Sequence, residues 1–262
     1  MNITNEFQDF RFNYHHIDNP QRKDYSRHMH YECEILLFEE GEVSYVIEDK
    51  RYYLKSHDLL LIPSARYHFA EILPQESYGR YMIDFSPDSV VPELVREIFC
   101  HTHSFHLEAD SPIIGAFQIL RSLTSRRDER YNELICRTLL TEILFHTLHL
   151  QEDNSAPENT VSESDCSQIV AYVNRHLTEI ENLDEIANRF YTSKSSLSHN
   201  FKRTMGISLM KYIHNKRLLL AQERIRAGGK PTEVYALCGY KDYATFFRAY
   251  TKYFGKNPSD EA

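Results

Sequence analysis

Residues 183–206 read LDEIANRFYTSKSSLSHNFKRTMG, and residues 231–255 read PTEVYALCGYKDYATFFRAYTKYFG. Both stretches follow one pattern: a short apolar segment, a turn, a polar capping residue, and a second segment whose apolar residues recur four apart. The pattern predicts two short helices joined by a tight turn in each stretch. Small polar and basic side chains remain on the free face of the second helix, as in a DNA-binding helix-turn-helix.

Single residues mark where these helices begin and end. Ser193 and Asp242 precede the second helix of each stretch, where a side-chain oxygen accepts a backbone N–H as an N-cap. Gly206 and Gly255 follow the same helices, and glycine is favoured there because the chain needs a positive φ. Pro231 suits a first helical turn, since a proline loses no hydrogen bond there. The two stretches are therefore expected to fold as a repeated motif.

One long helix is predicted between the two motifs, from Ser208 to Arg226. A rise of about 1.5 Å per residue makes this helix roughly 28 Å long. Major-groove faces on one side of B-DNA recur roughly every 34 Å. A rod of this length is expected to hold two recognition helices over adjacent major-groove segments of one DNA face.

The composition is that of a globular protein of two domains. The chain has 262 residues, of which 42% are hydrophobic and 26% charged, with 8 Gly and 9 Pro. These values exclude collagen-like and disordered classes. No run of 18 apolar residues is present, and residues 1–6 are not expected to form a signal peptide. The five cysteines are odd in number and irregularly spaced, which argues against a disulfide framework and for a cytoplasmic location.

Charge is divided unevenly along the chain. Residues 1–164 carry 15 Lys and Arg against 28 Asp and Glu, whereas residues 165–262 carry 15 against 10. This division indicates that only the back part meets a polyanion, although two solvated surfaces of different charge would give the same counts. Residues 151–164 are polar, acidic and nearly free of large apolar groups, so they are predicted to form a flexible linker.

Strands and then helices are predicted before the linker. Short β-runs such as 34–38, 44–47 and 59–62 are separated by turn residues, which indicates a sandwich or jelly-roll barrel over about residues 10–107. Over about residues 112–150, apolar residues recur at helical spacing and predict two antiparallel helices. Their apolar stripes are expected to cover the barrel, with a dimer seam as the alternative.

Four residues of the predicted barrel are candidate ligands: His28, His30, Glu34 and His68. Two imidazoles on one strand face, with a carboxylate and a third imidazole, suit Fe, Mn, Ni or Zn at a barrel mouth. A metal-free pocket that binds a polar molecule by hydrogen bonds is the other interpretation, and the one we expect. An exposed loop or edge strand is expected for a second group: His101, His103 and His106.

The spacing of these candidate ligands is similar to the two motifs of the cupin superfamily, His-x-His-x3-Glu-x6-Gly and Gly-Asp-x4-Pro-x-Gly-x2-His. The first motif is matched by His28, His30, Glu34 and Gly41. The second is matched by Asp58, Pro63 and His68, with His57 and Ala65 in place of its two glycines. A cupin-like barrel is therefore expected.

Residues from about 166 to 259 resemble the DNA-binding domain of the AraC/XylS family of transcriptional regulators. The matching stretches are Ala187 to Ser193, Leu197-x3-Phe201-Lys202-x3-Gly206, and Gly239-Tyr240-x-Asp242-x3-Phe246-x3-Tyr250-x3-Phe254-Gly255-x2-Pro258. The departures are Tyr191, which replaces a turn glycine, and Tyr235, which replaces a small residue. The front part resembles the sensor and dimerisation half of the same family.

The resemblance implies an α+β chain of two domains. Residues 1–150 would form an N-terminal cupin-like β-barrel with following helices, which is the sensor and dimerisation domain. After the linker at 151–164, residues 165–262 would form an all-α DNA-binding domain with two helix-turn-helix motifs joined by a long helix.

The resemblance also assigns roles to particular side chains. The residues expected to face base edges are Ser195, Ser198, His199, Tyr243, Ala244, Phe247 and Arg248. Those expected near phosphates are Lys194, Lys202, Arg203 and Lys252. Composition, and not the resemblance, gives the polar or aromatic residues expected to line an effector pocket, which are His28, His30, Glu34, Tyr45, His68 and Tyr81. Arg248 is expected to make a bidentate contact with guanine, with a solvated surface arginine as the alternative.

The expected function is regulation of transcription, as activator or repressor, in response to a small effector such as a sugar or another polar metabolite. The expected partners are promoter or operator DNA, the effector, a second copy of the chain and, for an activator, RNA polymerase. Catalysis is not expected, because phosphate-loop, GxGxxG, GxSxG and HExxH motifs are absent. No cofactor and no membrane contact are expected either. The alternatives are a metal-dependent cupin enzyme with a DNA-binding tail, using a divalent metal in the barrel, and a ligand-independent DNA-binding regulator.

Overall fold

A computed structural model describes residues 2–7, 9–21, 27–41, 43–72, 77–123, 129–153, 160–162 and 166–261. The chain divides into two units, Met1–Val161 and Ser162–Ala262. All five cysteines are free thiols. Among the described residues, no helix is both long and apolar enough to cross a membrane.

The first unit is built on two β-sheets. The described strands are β1 (Asn2–Phe7), β2 (Phe10–Ile17), β3 (Cys33–Glu40), β4 (Val43–Ile47), β5 (Lys50–Leu54), β6 (Asp58–Ile62), β7 (His68–Ile72), β8 (Tyr78–Phe85), β9 (His103–His106) and β10 (Thr160–Ser162). Six of them form one sheet in the order β1-β2-β8-β3-β6-β9, and four form the other in the order β10-β5-β4-β7.

Alternation along each strand sends neighbouring side chains to opposite faces of the six-stranded sheet. Ile35 and Leu37 of β3 pack against the helices of this unit. Leu36 and Phe38 pack instead against residues of the four-stranded sheet. The predicted cupin-like barrel is thus confirmed as two sheets packed face to face, with an interior between them.

Helices cover the outer face of the six-stranded sheet. They are α1 (Pro92–Ile98), α2 (Pro112–Leu123) and α3 (Glu129–Asp153). Phe117 and Leu120 of α2 are buried in one cluster with Leu140 of α3 and Leu61 of β6. These contacts confirm the predicted pair of helices, while the predicted joint at residues 125–128 lies outside the described residues.

Parts of the predicted linker are ordered elements. Residues 151–153 form the last turn of α3, where the amide of Gln151 donates a hydrogen bond to the carbonyl of Ile98 at 3.0 Å. Polar composition does not reveal a side chain that binds a distant backbone acceptor. Residues 160–162 form β10 at the edge of the four-stranded sheet. Residues 154–159 and 163–164 of the predicted linker lie outside the described residues.

The second unit is helical, as predicted. Its helices are α4 (Cys166–Arg175), α5 (Leu183–Arg189), α6 (Lys194–Met205), α7 (Leu209–Arg226), α8 (Pro231–Leu237) and α9 (Tyr243–Phe254), followed by a 3-10 helix (Pro258–Glu261). The predicted motifs are the pairs α5–α6 and α8–α9, and α7 is the predicted long helix.

Caps end the helices of both motifs where the sequence predicts them. The hydroxyl of Ser193 accepts a hydrogen bond from the N–H of Ser196 at 3.1 Å, and Asp242 Oδ1 accepts one from the N–H of Thr245 at 2.8 Å. Gly206 and Gly255 close α6 and α9 with φ of 70° and 72°. Local hydrogen bonding therefore explains why these residues bound the helices.

Candidate DNA interface and effector site

The first motif presents a polar helix face to solvent. Leu197 and Phe201 of α6 are buried, and the ring of Phe201 packs edge-on against Tyr212 of α7 at 5.5 Å. Burial of this apolar edge leaves the opposite edge of α6 exposed. Its exposed residues are Lys194, Ser195, His199, Lys202 and Arg203, and Ser198 is half-buried.

The second motif has an aromatic core beneath its outward face. Phe246 and Tyr250 of α9 are buried with ring centroids 5.4 Å apart. Tyr243 packs edge-on against Tyr235 of α8 at 5.7 Å, so the departure at Tyr235 is accommodated by a ring contact. The residues of α9 predicted to face DNA divide into two classes: Ala244, Arg248 and Lys252 are exposed, and Tyr243 and Phe247 are half-buried.

One of the residues predicted to contact phosphate, Lys194, forms an ion pair with Asp184 in the free protein. Lys194 Nζ lies 2.8 Å from Oδ2 of Asp184, and both side chains are more than half exposed. Exposed ion pairs of this kind contribute only about 0–1 kcal/mol, so DNA phosphate is able to compete for Lys194.

The departure at Tyr191 lies in the turn between the two helices of the first motif. Tyr191 has a positive φ of 51° and is 99% exposed.

Arg217 of α7 joins the two motifs. Its Nε donates to the carbonyl of Leu177 at 2.9 Å, and its Nη2 donates to that of Ile180 at 2.6 Å, both in the segment before α5. Its Nη1 donates to the carbonyl of Gly239, in the turn between α8 and α9, at 3.0 Å. One buried guanidinium therefore binds both halves of this unit, a role that no local sequence pattern indicates.

Three imidazoles and one carboxylate converge in the first unit. One ligand atom from each of His28, His30, Glu34 and His68 lies within 4.8 Å of all the others. The predicted convergence of these side chains is present, although His28 and His30 do not lie in a strand. His28 instead forms an isolated antiparallel bridge with His68, with N–H···O distances of 3.1 and 2.9 Å.

The imidazoles of this cluster interact electrostatically with its carboxylate. His30 Nε2 donates to Oε1 of Glu34 at 2.7 Å, and Nε2 of His68 lies 3.3 Å from the same oxygen. Burial opposes a charged imidazole, but hydrogen bonds to Glu32 and Glu34 raise the pKa of His30 to about 10. Burial likewise opposes ionisation of Glu34, yet His68 and His30 hold its pKa well below its usual range. The cluster therefore holds an internal ion pair.

Asp84 belongs to the same interior face and was not identified from the sequence. It lies directly opposite Glu34 in the pairing of β8 with β3, and opposite Arg11 in the pairing of β8 with β2. Burial and the neighbouring Glu34 raise the pKa of Asp84 to about 6, against the opposing effect of Arg11. Only the pairing of distant strands brings these residues together, so no sequence spacing reveals them.

Tyr45 lies in a second polar group between the sheets, which interacts electrostatically with Glu34. Its hydroxyl and that of Tyr78 are 2.8 Å apart, and Nη1 of Arg80 donates to both hydroxyls. Arg80 is four residues along β8 from Asp84, which corresponds to about 13 Å of extended chain. Tyr45 is thus buried inside the sandwich, where it pairs with Arg80 and Tyr78.

The prediction that Tyr81 lines the effector pocket is corrected. Tyr81 lies on the outer face of the six-stranded sheet, where its ring packs 5.7 Å from Phe117 of α2. Its hydroxyl donates to Oε1 of Glu39 at 3.1 Å and accepts from Nη1 of Arg121 at 3.2 Å. Odd-numbered residues of β8 face the helices. Composition alone does not predict which residues of a strand face the interior.

The second histidine group lies at a sheet edge. His103 and His106 bound β9, which pairs with β6 as the last strand of the six-stranded sheet. His106 Nδ1 donates to Oδ1 of Asp58 at 2.7 Å. The predicted edge strand is present, and this group does not join the interior cluster.

Comparison with known families covers both units. Residues 13–144 match the AraC-like ligand binding domain, and residues 186–261 match a helix-turn-helix domain. The first match includes β3 to β9, α1, α2 and most of β2 and α3. The second includes α6 to α9 and most of α5.

Individual relatives are distant in sequence. The HTH-type transcriptional activator RhaS of Klebsiella pneumoniae (strain 342) is 21% identical over 231 residues, which covers 84% of this chain and 75% of the relative. The structure of unsaturated fatty acid bound ToxT from Vibrio cholerae strain SCE256 is similar at 12% identity and a TM-score of 0.41, covering 98% of this chain and 95% of ToxT. The DNA-binding domain of the global transcriptional factor AdpA, in complex with a target DNA, is 21% identical with a TM-score of 0.36, and covers 37% of this chain and 89% of that domain.

Proposed function

The chain belongs to the AraC/XylS family of transcriptional regulators, and on this basis we propose that each copy reads two adjacent major-groove segments of promoter DNA in response to a small effector. The observation that carries the proposal is the link made by Arg217, whose guanidinium binds Ile180 before the first motif and Gly239 within the second. Helix α7 has 18 residues, which gives a length of about 27 Å. Two motifs held at a fixed distance can bind two successive major-groove segments on one face of the DNA.

A selection from random-sequence DNA tests this reading of DNA. Gel-shift titration at physiological salt should show tighter binding to the selected sequences than to scrambled ones. Replacing Arg248 should weaken that preference, whereas the control Arg96→Ala, which removes the same charge from α1, should not. Equal affinity for selected and scrambled DNA would contradict the proposal.

The interior of the first unit is the proposed effector site. Glu34 and His68 are buried there, His30 is half-buried and His28 is exposed, so the cluster reaches from the interior to the surface. A buried set of donors and acceptors suits a sugar or another polar metabolite. Effector binding would change DNA affinity through a coupling typically of about 1–3 kcal/mol.

Divalent metal is a second candidate for the same site, because the four donor atoms lie within 4.8 Å of one another. His and Glu donors suit transition metals, and such an ion would act as a Lewis acid or as an anchor for a chelating effector. We propose a metal-free pocket and no catalysis. Metal analysis of the dialysed protein decides: one transition-metal ion per chain would favour the second candidate.

Helix α3 provides the proposed homodimer surface. Tyr131, Leu134 and Phe145 are 62%, 63% and 51% exposed, and their spacing places them on one stripe of the helix. Apolar stripes of this kind are characteristic of helix–helix seams. Light scattering should therefore show a dimer for the wild-type chain and a monomer for Leu134→Glu/Phe145→Glu. A wild-type monomer, or a variant that stays dimeric, would contradict this surface.

The proposal extends to partners that act with a regulator. An activator would also contact RNA polymerase, and the protein would work in the cytoplasm with promoter DNA. A regulator that ignores small molecules is the remaining alternative. Thermal-shift screening separates the two, since an effector raises the melting temperature as its concentration exceeds the dissociation constant.

A further inference from the structure

Charged side chains form a row across the inner face of the six-stranded sheet. Arg11 of β2, Asp84 of β8 and Glu34 of β3 are consecutive neighbours in the strand register. Directly opposite residues have Cβ atoms about 4.5–5.5 Å apart. Asp84 therefore projects into the space that Glu34 shares with the imidazoles, whereas Ile83 packs on the helix side.

The two carboxylate oxygens of Asp84 differ in their hydrogen bonding. Oδ2 accepts a hydrogen bond from Nε of Arg11 at 2.7 Å, and Nη2 of Arg11 lies 2.7 Å from the same oxygen. Oδ1 is buried and accepts no hydrogen bond from the part of the chain that the structure describes. The Asp84 side chain is only 3% exposed, so bulk water does not readily satisfy Oδ1. A buried acceptor of this kind is destabilising until a donor arrives.

The charges of the row are already paired. Arg11 binds Asp84, and His30 binds Glu34 at 2.7 Å. An anionic ligand would lie beside two carboxylates, and a cationic ligand would find both of them paired with cations. What the row itself offers is hydrogen-bonding capacity without spare charge. A hydroxyl group fits, because it donates to a carboxylate and accepts from an imidazole N–H.

We propose that Asp84 is a ligand-binding residue of the interior site and that its ligand is an uncharged polyhydroxylated molecule, which donates an O–H to Oδ1. This inference rests on the proposed function, in which the interior cluster is the effector site. It extends that function by adding Asp84 to the site and by predicting a neutral effector instead of an acid or an amine.

Thermal unfolding of the full chain with a panel of small molecules tests the inference. The panel contains neutral aldoses, deoxyaldoses and sugar alcohols, with aldonic acids, uronic acids and amino sugars as charged counterparts. At least one neutral compound should raise the melting temperature of the wild type. Asp84→Asn and Asp84→Ala should weaken its binding at least about tenfold. Asp49→Asn, the same change at a buried carboxylate in the β4–β5 turn, should leave binding unchanged.

A second measurement needs no variant at Asp84. O-methyl ethers of the responding compound keep each oxygen as an acceptor but remove its donor. Methylation at one position should weaken binding to the wild type about tenfold, and that loss should vanish in Asp84→Ala. This comparison remains decisive if Asp84→Asn does not fold.

Three results would overturn the inference: unchanged binding in both Asp84 variants, a response to acids or amines alone, or no response to any neutral compound. The proposed function fails by a different result. If the proposed function is wrong, gel shifts on the same preparations would show no sequence preference, regardless of which small molecules bind.

Discussion

The guanidinium of Arg217 and the backbone of Gly239 are in direct contact, with Nη1 donating to the carbonyl oxygen at 3.0 Å. A Cβ atom on Gly239 would lie 2.8 Å from Cζ of Arg217 and 2.8 Å from the carbonyl oxygen of Thr178. The turn of the second motif thus packs against Arg217, and Arg217 also binds the segment that precedes the first motif.

Replacing Arg217 should destabilise the second unit. Arg217→Met leaves the carbonyls of Leu177, Ile180 and Gly239 without their donor, and a buried unsatisfied acceptor costs about 1–3 kcal/mol. We expect the free energy of unfolding to fall by about 3 kcal/mol, measured by urea titration with circular dichroism. Arg217→Lys, which supplies one donor group without the planar fork, should recover only part of the loss. Equal stability of Arg217→Met and the wild type would show that the link has no energetic role.

Glycine is required at position 239 for two reasons, and one control separates them. Gly239 and Gly228 both have positive φ, of 81° and 91°, but a Cβ on Gly228 would meet nothing within 4 Å. Gly228→Ala should cost about 1 kcal/mol through backbone strain alone. Gly239→Ala should cost at least about 1 kcal/mol more, because the methyl group clashes with Arg217. The two denaturation midpoints measure the difference, and equal midpoints would remove the steric argument.

Glu261 should make the second unit sensitive to acid. Burial opposes its ionisation, but hydrogen bonds from Gln222, Lys256, Tyr250 and Arg226 lower its pKa from 4.5 to about 2. A folded-state pKa below the unfolded value stabilises the fold above pH 4.5, and this contribution disappears as the pH falls toward 2. The contribution is at most about 3 kcal/mol.

Urea titrations between pH 7 and pH 2 measure this contribution. The wild type should lose more stability over pH 4.5–2 than Glu261→Gln, which lacks the ionisable group. Glu233→Gln, at an exposed residue of α8, should follow the wild type. A Glu261→Gln variant with the wild-type pH dependence would show that this carboxylate does not anchor the 3-10 helix to α7 and α9.

The local features of the second unit were predictable from sequence, and the features that need long-range pairing were not. Ser193, Asp242 and Gly255 act on residues within four positions, so their roles follow from the sequence alone. Arg217 binds carbonyls about 20 and 40 positions away, and no local pattern indicates such partners.

The interior site shows the same division. The spacing of His28, His30 and Glu34 predicted their convergence with His68. Asp84 and Tyr81 depend on which strand β8 pairs with and on which of its faces turns inward, so Asp84 was missed and Tyr81 was placed on the wrong side. A shift of one residue in a strand exchanges the two faces.

Two basic residues of α9 should affect DNA binding differently. Arg248→Ala should cost about 1–3 kcal/mol at its base pair and relax the preference there. Lys252→Ala should weaken binding to all sequences alike and reduce the salt dependence by about one charge. Gel-shift titrations on the selected site and its single-base variants, at several salt concentrations, separate the two effects. Identical salt slopes for Lys252→Ala and the wild type would remove Lys252 from the interface.

Hydroxyl-radical footprinting of the wild-type chain on its selected site tests most directly whether the two motifs bind DNA as one rigid unit. The account predicts, for each copy, two protected segments about one helical turn apart on the same face of the duplex. Inserting 10 base pairs between these segments should abolish tight binding, because α7 and Arg217 do not allow the motifs to separate. A single protected segment per copy, or unchanged affinity after the insertion, would contradict the account.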